Sequence, residues 1–213
     1  MWEIHDLLNT LGEEQNITAQ KTALNHEALD DWDWIYEIKH DGFRALAVIE
    51  QGQCRFLSRK KHKLTGHQDL RAALVKEVNA DTAILDGELV VVDHLGRSVF
   101  SDLMQRRHLA RYFAFDLLTL NGEDLTKLPL LTRKEKLKRI LPSRSAHVLY
   151  VDHSRGNGTA LYRLACQLDL EGIVAKRADS RYKDNPNVRH WIKIKNPSYS
   201  QKEGRGELFK RAG

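Results

Sequence analysis

The sequence predicts an α+β domain with largely antiparallel sheets. Short β-rich segments and amphipathic helical segments follow one another in mixed order, without the regular strand–helix alternation of a parallel sheet. A length of 213 residues indicates one domain or two small ones. The hydrophobic fraction of 41% and the charged fraction of 30% are ordinary for a globular protein, which excludes collagen-like, mucin-like and mostly disordered chains.

The first β-rich region begins at Trp34. Residues 35–39 are predicted to form a strand, His40-Asp41-Gly42 has the composition of a turn, and residues 43–50 are predicted to form the next strand. A short glycine-containing turn then leads into a third strand at residues 54–58.

Four later segments also have strand composition. Residues 83–93 are apolar apart from an interruption at Asp86-Gly87, which either serves a function or marks a β-bulge. Residues 111–120 read as a buried strand, and the short segments 171–176 and 191–195 read as two more.

Three helices are predicted between these strands. Thr65 with Gln68, and Thr132 with Glu135, have the spacing of capping boxes and predict two helix starts. Apolar residues at helical spacing over 161–168 predict a third helix.

The chain is divided into three parts by these patterns. Residues 1–30 are predicted to be a lead-in that packs on the domain, residues 31–196 the domain itself, and residues 197–213 a basic tail. The N-terminus has no signal-peptide pattern and no segment approaches the length of a membrane span, so we expect no membrane association. Cys54 and Cys166 are far apart and are predicted to be free thiols in a reducing cytoplasm.

The formal net charge of +5 suits a polyanionic partner such as nucleic acid, although surplus lysine also serves solubility. No P-loop, dinucleotide fingerprint, HExxH or paired CxxC occurs in the chain. These absences exclude the commonest sequence signatures of phosphate and metal sites.

The sharpest local motif is Lys39-His40-Asp41-Gly42-Phe43-Arg44. Lys39 ends one predicted strand, Gly42 allows a turn and a close approach of a ligand to the backbone, and Arg44 enters the next strand. A surface hairpin with the same residue types is the alternative.

Five later segments accompany this motif in order, and the set resembles the nucleotidyltransferase motifs of the covalent nucleotidyltransferase superfamily, which holds DNA ligases, RNA ligases and mRNA capping enzymes. The resemblance runs from about Trp34 to Lys195 and is greatest to the adenylation domain of bacterial ATP-dependent DNA ligases of the ligase D type. The segments are Ser58-Arg59, Asp86-Gly87-Glu88, Phe115-Asp116, residues 171–176 (EGIVAK) and residues 191–195 (WIKIK).

The resemblance implies an ATP-grasp-like nucleotidyltransferase domain with antiparallel sheets flanked by helices. It also implies an ATP-dependent DNA ligase core, with Lys39 forming a covalent lysyl-AMP and passing AMP to a 5′-phosphate at a nick, which a 3′-hydroxyl then seals. Ligases of this superfamily continue into an OB-fold after the last motif. Only 18 residues follow Lys195, so we expect no OB-fold here. Either the chain is an excised or minimal adenylation domain, or a protein partner supplies the missing function.

The resemblance assigns a role to each motif residue. Beside the nucleophile Lys39, the nucleotide-binding set comprises Arg44 and Glu88 for ribose, Arg59 for phosphate or nucleic acid, Phe115 for stacking on adenine, Glu37 and Ile38 at the base edge, Val174 on the opposite side of the base, and Lys193 and Lys195 for the phosphates. Glu171 with Asp41 would hold Mg²⁺ (or Mn²⁺).

The residue pattern supports these roles while leaving alternatives open. Lys193 and Lys195 share one face of a strand because side chains alternate with a period of two, and two cations on one face call for an anion. Solvated lysines on an edge strand are the alternative. Taken singly, Glu171 is equally well a surface residue at a helix end, and Phe115 a core residue.

Nicked double-stranded DNA is the expected partner of a monomeric, cytoplasmic, nucleoid-associated bacterial enzyme. The residues assigned to nucleic acid are Arg55, Lys60, Lys61, Lys63, Arg106, Arg107 and Lys176. Such contacts would reach backbone phosphates and be sensitive to salt, whereas the alternative is a set of solvated loops. Two further functions stay open: an RNA ligase or capping enzyme, and a DNA-end or nucleotide-binding module that needs a partner for ligation.

Overall fold

The computed structural model describes residues 29–58, 61–182 and 190–202. Predictions for residues 1–28, for Arg59 and Lys60, and for the last part of the tail therefore lie outside the described residues. The described strands are β1 (Trp34–Ile38), β2 (Phe43–Glu50), β3 (Gln53–Ser58), β4 (Lys63–Leu64), β5 (Ala83–Val90), β6 (Arg111–Leu120), β7 (Glu123–Asp124), β8 (Val148–Tyr150), β9 (Ser154–Arg155), β10 (Gly172–Arg177) and β11 (Trp191–Lys195). The described helices are α1 (Gln68–Glu77), α2 (Phe100–Gln105), α3 (Leu130–Ile140) and α4 (Gly158–Gln167), followed by a 3₁₀ turn at Ser200–Lys202.

The strands form two sheets. The smaller has the order β11-β10-β1-β9, and the larger runs β4-β3-β2-β5-β6-β7 with β8 beside β6. Every pairing among these strands is antiparallel except β6 with β8. The predicted α+β class with antiparallel sheets is confirmed.

Alternation of side chains gives the smaller sheet one apolar and one polar face. Tyr36, Ile173 and Ile194 pack with α4 in an apolar cluster on one side. The cross-strand partners Glu37 and Val174 lie on the other side, because they are one residue out of phase with that cluster. This second face turns its polar side chains toward the larger sheet.

The larger sheet holds the main core on the face away from the cleft. Ala45, Leu85 and Tyr112 are buried there and pack with α1 and α3 in one cluster. The Tyr112 hydroxyl donates to the carbonyls of Ala45 (2.9 Å) and Leu85 (3.0 Å), so it passes directly under β5. A Cβ at Gly87 would lie 2.6 Å from the Tyr112 ring, which explains the glycine inside this strand.

The interruption at Asp86-Gly87 coincides with an irregular pairing. The register between β5 and β6 shifts at this dipeptide, as in a β-bulge, although the strand itself continues to Val90. Asp86 is fully buried and its carboxylate has partners described below. The β-bulge is therefore present, and the buried Asp86 is paired rather than left as an isolated charge.

Both predicted capping boxes are wrong in position. Helix α1 begins at Gln68 after His67, whose backbone is left-handed (φ 53°) and whose side chain makes no capping hydrogen bond. Helix α3 begins at Leu130, two residues before Thr132, because Pro129 at its N-cap has the extended backbone of a residue outside the helix. Within the described residues, no helix is long and apolar enough to cross a membrane.

A buried ion pair joins α3 to both sheets. The Arg133 guanidinium donates through Nε and Nη2 to the Asp116 carboxylate of β6, both at 2.8 Å. Its Nη1 donates to the carbonyl of Leu128 at 2.6 Å and of Ser180, just beyond β10, at 3.0 Å. Both charged side chains are 0% exposed. One arginine thus fixes the helix, a strand of the larger sheet and the segment that leaves the smaller sheet.

We expect Arg133→Met to lower the free energy of unfolding by about 3–5 kcal/mol, because Asp116 would be left buried without its counter-ion. Urea unfolding followed by circular dichroism measures this loss. Arg139→Met, an exposed position on the same helix, is the matched control and should change stability by no more than about 0.5 kcal/mol. Equal losses in the two variants would contradict a special role for Arg133.

Candidate active site

A cleft between the polar face of the smaller sheet and the larger sheet contains a cavity of about 120 Å³. It is lined by Glu37, Ile38, Lys39, His40, Arg44, Glu88, Phe115, Val151, Val174, Lys176, Trp191 and Lys193. Seven of the predicted nucleotide-site residues and the predicted nucleophile are in this lining. The structure brings together residues separated by more than 150 positions in sequence.

Lys39 and Glu171 form the ion pair at the end of the smaller sheet. Lys39 Nζ donates to Glu171 Oε2 at 2.6 Å, and the Lys39 backbone N–H donates to the Gly172 carbonyl at 2.9 Å. Lys39 follows β1 directly and Glu171 precedes β10, and these two strands are paired. Strand pairing therefore sets the distance between the amine and the carboxylate.

The turn after Lys39 crosses from one sheet to the other, since β1 and β2 belong to different sheets. A Cβ at Gly42 would lie 2.0 Å from the Leu89 carbonyl oxygen. The sequence predicted that Gly42 lets a ligand approach the backbone closely. In the structure, the group that lies this close to Gly42 is the backbone carbonyl of Leu89 in β5.

Asp41 is buried beside this turn, only 2% exposed. Its carboxylate accepts a hydrogen bond from the Tyr199 hydroxyl at 3.0 Å, and its backbone N–H donates to Ser98 Oγ at 3.2 Å. Asp41 is not in the cavity lining. Within residues 29–58, 61–182 and 190–202, no group of three acidic, histidine or cysteine side chains is placed to hold a metal ion. The Tyr199 hydroxyl takes one position on the Asp41 carboxylate, and the pairing of Asp41 with Glu171 at one ion stays a prediction.

Arg44 is held on the wall of the larger sheet by Asp86 of the neighbouring strand β5. Its Nε and Nη2 donate to the two Asp86 oxygens at 3.0 and 2.6 Å, and the Tyr182 hydroxyl donates to the same carboxylate at 2.8 Å. Burial opposes the charge of the guanidinium, but the Asp86 carboxylate more than offsets this and raises the pKa of Arg44 above its ordinary value. Arg44 is therefore a fixed cation on the cleft wall.

Glu88 lies opposite Arg44 in the register of β2 and β5. Burial raises the pKa of Glu88 to about 7, although Lys39 and Arg44 act in the opposite direction. A carboxyl that is part-protonated near neutral pH can both donate and accept a hydrogen bond, which suits a sugar hydroxyl.

The floor of the cavity is a buried cluster of one carboxylate and two ammonium groups. Glu37 is 2% exposed and pairs with Lys176 Nζ at 2.6 Å and with Lys134 Nζ. Burial alone would raise the pKa of Glu37, but the two lysines hold it below its usual range. Burial also lowers the pKa of Lys176, against the opposing effect of Glu37.

The assignment of Lys176 to nucleic acid is corrected by this geometry. Its side chain is 2% exposed, and its ammonium lies 4.2 Å from the ring centroid of Phe115 and 4.0 Å from that of Trp191. A duplex on the protein surface cannot reach it. Lys176 is a cavity residue, and the aromatic side chains hold it there through cation–π contacts.

The remaining predicted nucleotide residues differ in how they are placed relative to the cavity. Val174 and Lys193 are cross-strand neighbours and both line the cavity. Burial lowers the pKa of Lys193, and the nearby cations Lys39 and Arg44 lower it further. Lys195 is exposed and lies outside the lining, while the Ile38 side chain packs into the apolar cluster on the other face of the sheet.

Among the described residues, those assigned to nucleic acid lie outside the cavity lining, Lys176 excepted. Arg106 and Arg107 are exposed just after α2, and Lys63 is exposed on β4. Arg55 is 42% exposed and pairs with Glu50 at 2.6 Å, and Lys61 is partly exposed with a left-handed backbone (φ 63°). Arg59 and Lys60 lie outside the described residues.

No role was assigned from the sequence to four further residues that lie at or beside the cleft. Trp191 lies within the WIKIK motif, yet only its lysines were assigned a role. His40 stacks on Phe113 with centroids 4.2 Å apart, and burial lowers its pKa to about 4, so it is neutral near pH 7. Lys134 and Tyr182 reach the cleft from distant segments, which no local signal indicates.

The sequence of the chain is similar to a known protein family and to several known proteins. A family model described as "ATP dependent DNA ligase domain" matches residues 16–195. The chain is 34% identical over 169 residues to the multifunctional non-homologous end joining protein LigD of Pseudomonas aeruginosa, covering 76% of this chain and 20% of that protein. It is 30% identical over 181 residues to the SPbeta prophage-derived DNA ligase-like protein LigB of Bacillus subtilis, covering 82% of this chain and 66% of that protein.

A solved structure supports the same assignment. The fold matches that of mycobacterial DNA ligase D complexed with ATP and MES, with a TM-score of 0.63 and 30% identity over 76% of this chain and 54% of that one. The resemblance identified from the ordered motifs is confirmed. The chain spans between a fifth and two thirds of the length of these relatives.

The titration of Glu88 gives a pH-dependent stability. An unfolded glutamate titrates near about pH 4.3, so the native state binds this proton more tightly. The resulting stabilisation is complete at acid pH and is lost as the pH rises through about 7. We expect Glu88→Gln to gain about 2 kcal/mol relative to the unsubstituted chain between about pH 5 and pH 8.

Urea unfolding of both proteins across this pH range measures the difference. Carboxyl ¹³C NMR identifies the group directly, because the resonance that titrates near pH 7 should be absent from Glu88→Gln. A stability difference that does not change with pH would refute the assignment.

Proposed function

Since the chain belongs to the family of ATP-dependent DNA ligase domains, we propose that it transfers AMP from ATP through Lys39 to the 5′-phosphate of nicked DNA. The observation that carries this proposal is the Lys39–Glu171 pair, 2.6 Å apart, beside a cavity lined by aromatic, acidic and basic side chains. The proposed reaction is covalent catalysis by an amine. The 3′-hydroxyl of the nick would then displace AMP and seal the strand.

The first step requires a neutral lysine. We propose that Lys39 gives its proton to Glu171 Oε2, the oxygen to which it already donates a hydrogen bond. The Nζ–phosphorus bond then forms at the α-phosphate while the bond from that phosphorus to the pyrophosphate oxygen breaks. Pyrophosphate carries away the electron pair, and Lys39 is left as the phosphoramidate of AMP.

The cavity offers a separate place for each part of the nucleotide. Phe115 on one side and Val174 on the other are proposed to enclose the adenine ring, with Glu37 and Lys176 at its polar edge. Arg44 and Glu88 are proposed to contact the ribose. A carboxylate accepts from an amino group and an ammonium donates to a ring nitrogen, so this pair is complementary to adenine.

Lys193 and Lys195 are proposed to contact the phosphates, with Lys193 at the cavity wall and Lys195 exposed beyond it. Mg²⁺ (or Mn²⁺) is proposed to enter with ATP. Mg²⁺ keeps several waters and usually takes one or two carboxylates besides substrate phosphates. The proposed protein ligands are Asp41 and Glu171, the latter through Oε1, the oxygen that does not face Lys39. When bound, the ion supplies positive charge against the phosphates.

Nicked duplex DNA is the proposed second substrate. Arg55, Lys61, Lys63, Arg106 and Arg107 are proposed to contact its backbone, together with Arg59 and Lys60 from the segment outside the described residues. We further propose a monomer in the bacterial cytoplasm, associated with the nucleoid, and a protein partner that assists the later steps.

A second candidate function is DNA-end or nucleotide binding without turnover. The exposed pair Arg106 and Arg107, outside the cavity lining, favours a binding surface that works independently of Lys39. An RNA ligase is less well supported, because the matching family and relatives are named for DNA ligation.

We expect Lys39→Ala to abolish formation of a covalent adduct from α-labelled ATP, because the substitution removes the nucleophile. Denaturing gel electrophoresis after incubation with ATP and Mg²⁺ measures the adduct. Lys39→Arg keeps the charge beside Glu171 but cannot form the adduct efficiently, so it separates loss of chemistry from loss of the ion pair. An adduct that persists in both variants would place the nucleophile elsewhere, and no adduct in the unsubstituted chain would favour the binding-module alternative.

We expect Arg106→Gln combined with Arg107→Gln to weaken binding to nicked DNA while leaving adduct formation unchanged. Each lost phosphate contact should reduce the slope of log affinity against log salt by about 1. Fluorescence anisotropy at several salt concentrations measures both quantities. Arg163→Gln, exposed on α4 behind the smaller sheet, is the control and should bind as the unsubstituted chain does. Equal effects of the two changes would indicate general charge attraction only.

A further inference from the structure

Lys134 of α3 is a buried cation that touches three walls of the cavity without lining it. Its ammonium donates to Glu37 of β1, to the Val151 carbonyl at 2.9 Å and to the Phe115 carbonyl of β6 at 3.4 Å. An ammonium has three protons, and three acceptors surround this one. Its orientation is therefore fixed from three directions.

The two lysines that contact Glu37 are not equivalent. Lys176 pairs with Oε2 from inside the cavity, so an entering base competes for its protons. Lys134 pairs with Oε1 from behind, where no ligand can reach. When Lys176 turns toward a ligand, Lys134 is the cation that still holds the carboxylate in place.

We propose that Lys134 is a positioning residue for nucleotide selection, holding the Glu37 carboxylate so that it accepts from the 6-amino group of a purine. A carboxylate only accepts hydrogen bonds, so a 6-oxo group would face it without a donor. The selected ligand is thus a 6-aminopurine nucleotide. This inference rests on the proposed function, because it assigns the base edge to Glu37.

The test compares Lys134→Met with the unsubstituted full-length chain. Adduct formation is followed with ATP and with purine riboside triphosphate, which lacks the 6-amino group. The unsubstituted chain should prefer ATP, and the variant should raise the KM for ATP about 10-fold while changing the KM for the analogue by less than about 2-fold. The rate at saturation should change little with either nucleotide.

Lys138→Met is the matched control. Lys138 lies one turn further along the same helix and also faces the Tyr150 ring, but it is exposed and makes no contact with Glu37 among the described interactions. It should keep the ATP preference unchanged. Equal losses for ATP and the analogue in Lys134→Met would show a purely structural role and overturn the proposal, as would an unchanged preference.

A double substitution covers the case in which Lys134→Met does not fold. Glu37→Gln with Lys134→Met replaces the Lys134–Glu37 ion pair by a neutral pair and leaves Lys176 as the remaining cation of the cluster. If Lys134 acts through Glu37, the double variant has the same preference as Glu37→Gln alone, whereas a further loss of preference overturns the proposal. Failure of the proposed function is distinct from both results, because then the unsubstituted chain forms no adduct.

Discussion

Two neighbouring residues of one helix, Arg133 and Lys134, tie the two sheets together. Arg133 binds Asp116 of the larger sheet and the Ser180 carbonyl beyond the smaller one. Lys134 binds Glu37 of the smaller sheet and the Phe115 carbonyl of the larger. Buried ion pairs add little net stability compared with apolar packing, yet removing one partner is costly. The pairs therefore act as constraints that keep the two cleft walls in a single relative position.

That constraint determines the charge pattern of the cleft. Each of its central cations faces a carboxylate: Lys39 faces Glu171, Arg44 faces Asp86 and Lys176 faces Glu37. ATP in the proposed orientation would compete with these carboxylates at three points: its α-phosphate at Lys39, its ribose at Arg44 and its adenine at Lys176. Because these cations are already buried and oriented, little reorganisation is needed when the nucleotide replaces the carboxylates, which is the arrangement that electrostatic catalysis requires.

The sequence predicted most of the strands and many of the residues that line the cavity beside Lys39, the proposed nucleophile, but less of the long-range geometry. The apolar run at 111–120 coincides with β6, because a buried strand has a strong composition signal. Lys176 was assigned to nucleic acid, although it lies two residues after Val174, which was assigned to the nucleotide site. Because side chains alternate along a strand, these two residues share one face, so the sequence pattern alone could have placed Lys176 in the cavity. The partners of Lys134 could not be predicted, because Glu37 is 97 residues away and only the folded chain joins them.

The aromatic side chains of the cavity explain why selection between bases depends on its polar edge. Lys176 now lies over the rings of Phe115 and Trp191, where stacked adenine is proposed to lie. A desolvated cation–π contact contributes up to about 2 kcal/mol, and stacking of a base on an aromatic ring contributes about 1–3 kcal/mol. Exchanging one for the other is nearly balanced, and every base has an aromatic face. Discrimination between bases must therefore come from hydrogen bonds at the edge, which makes the placement of Glu37 decisive.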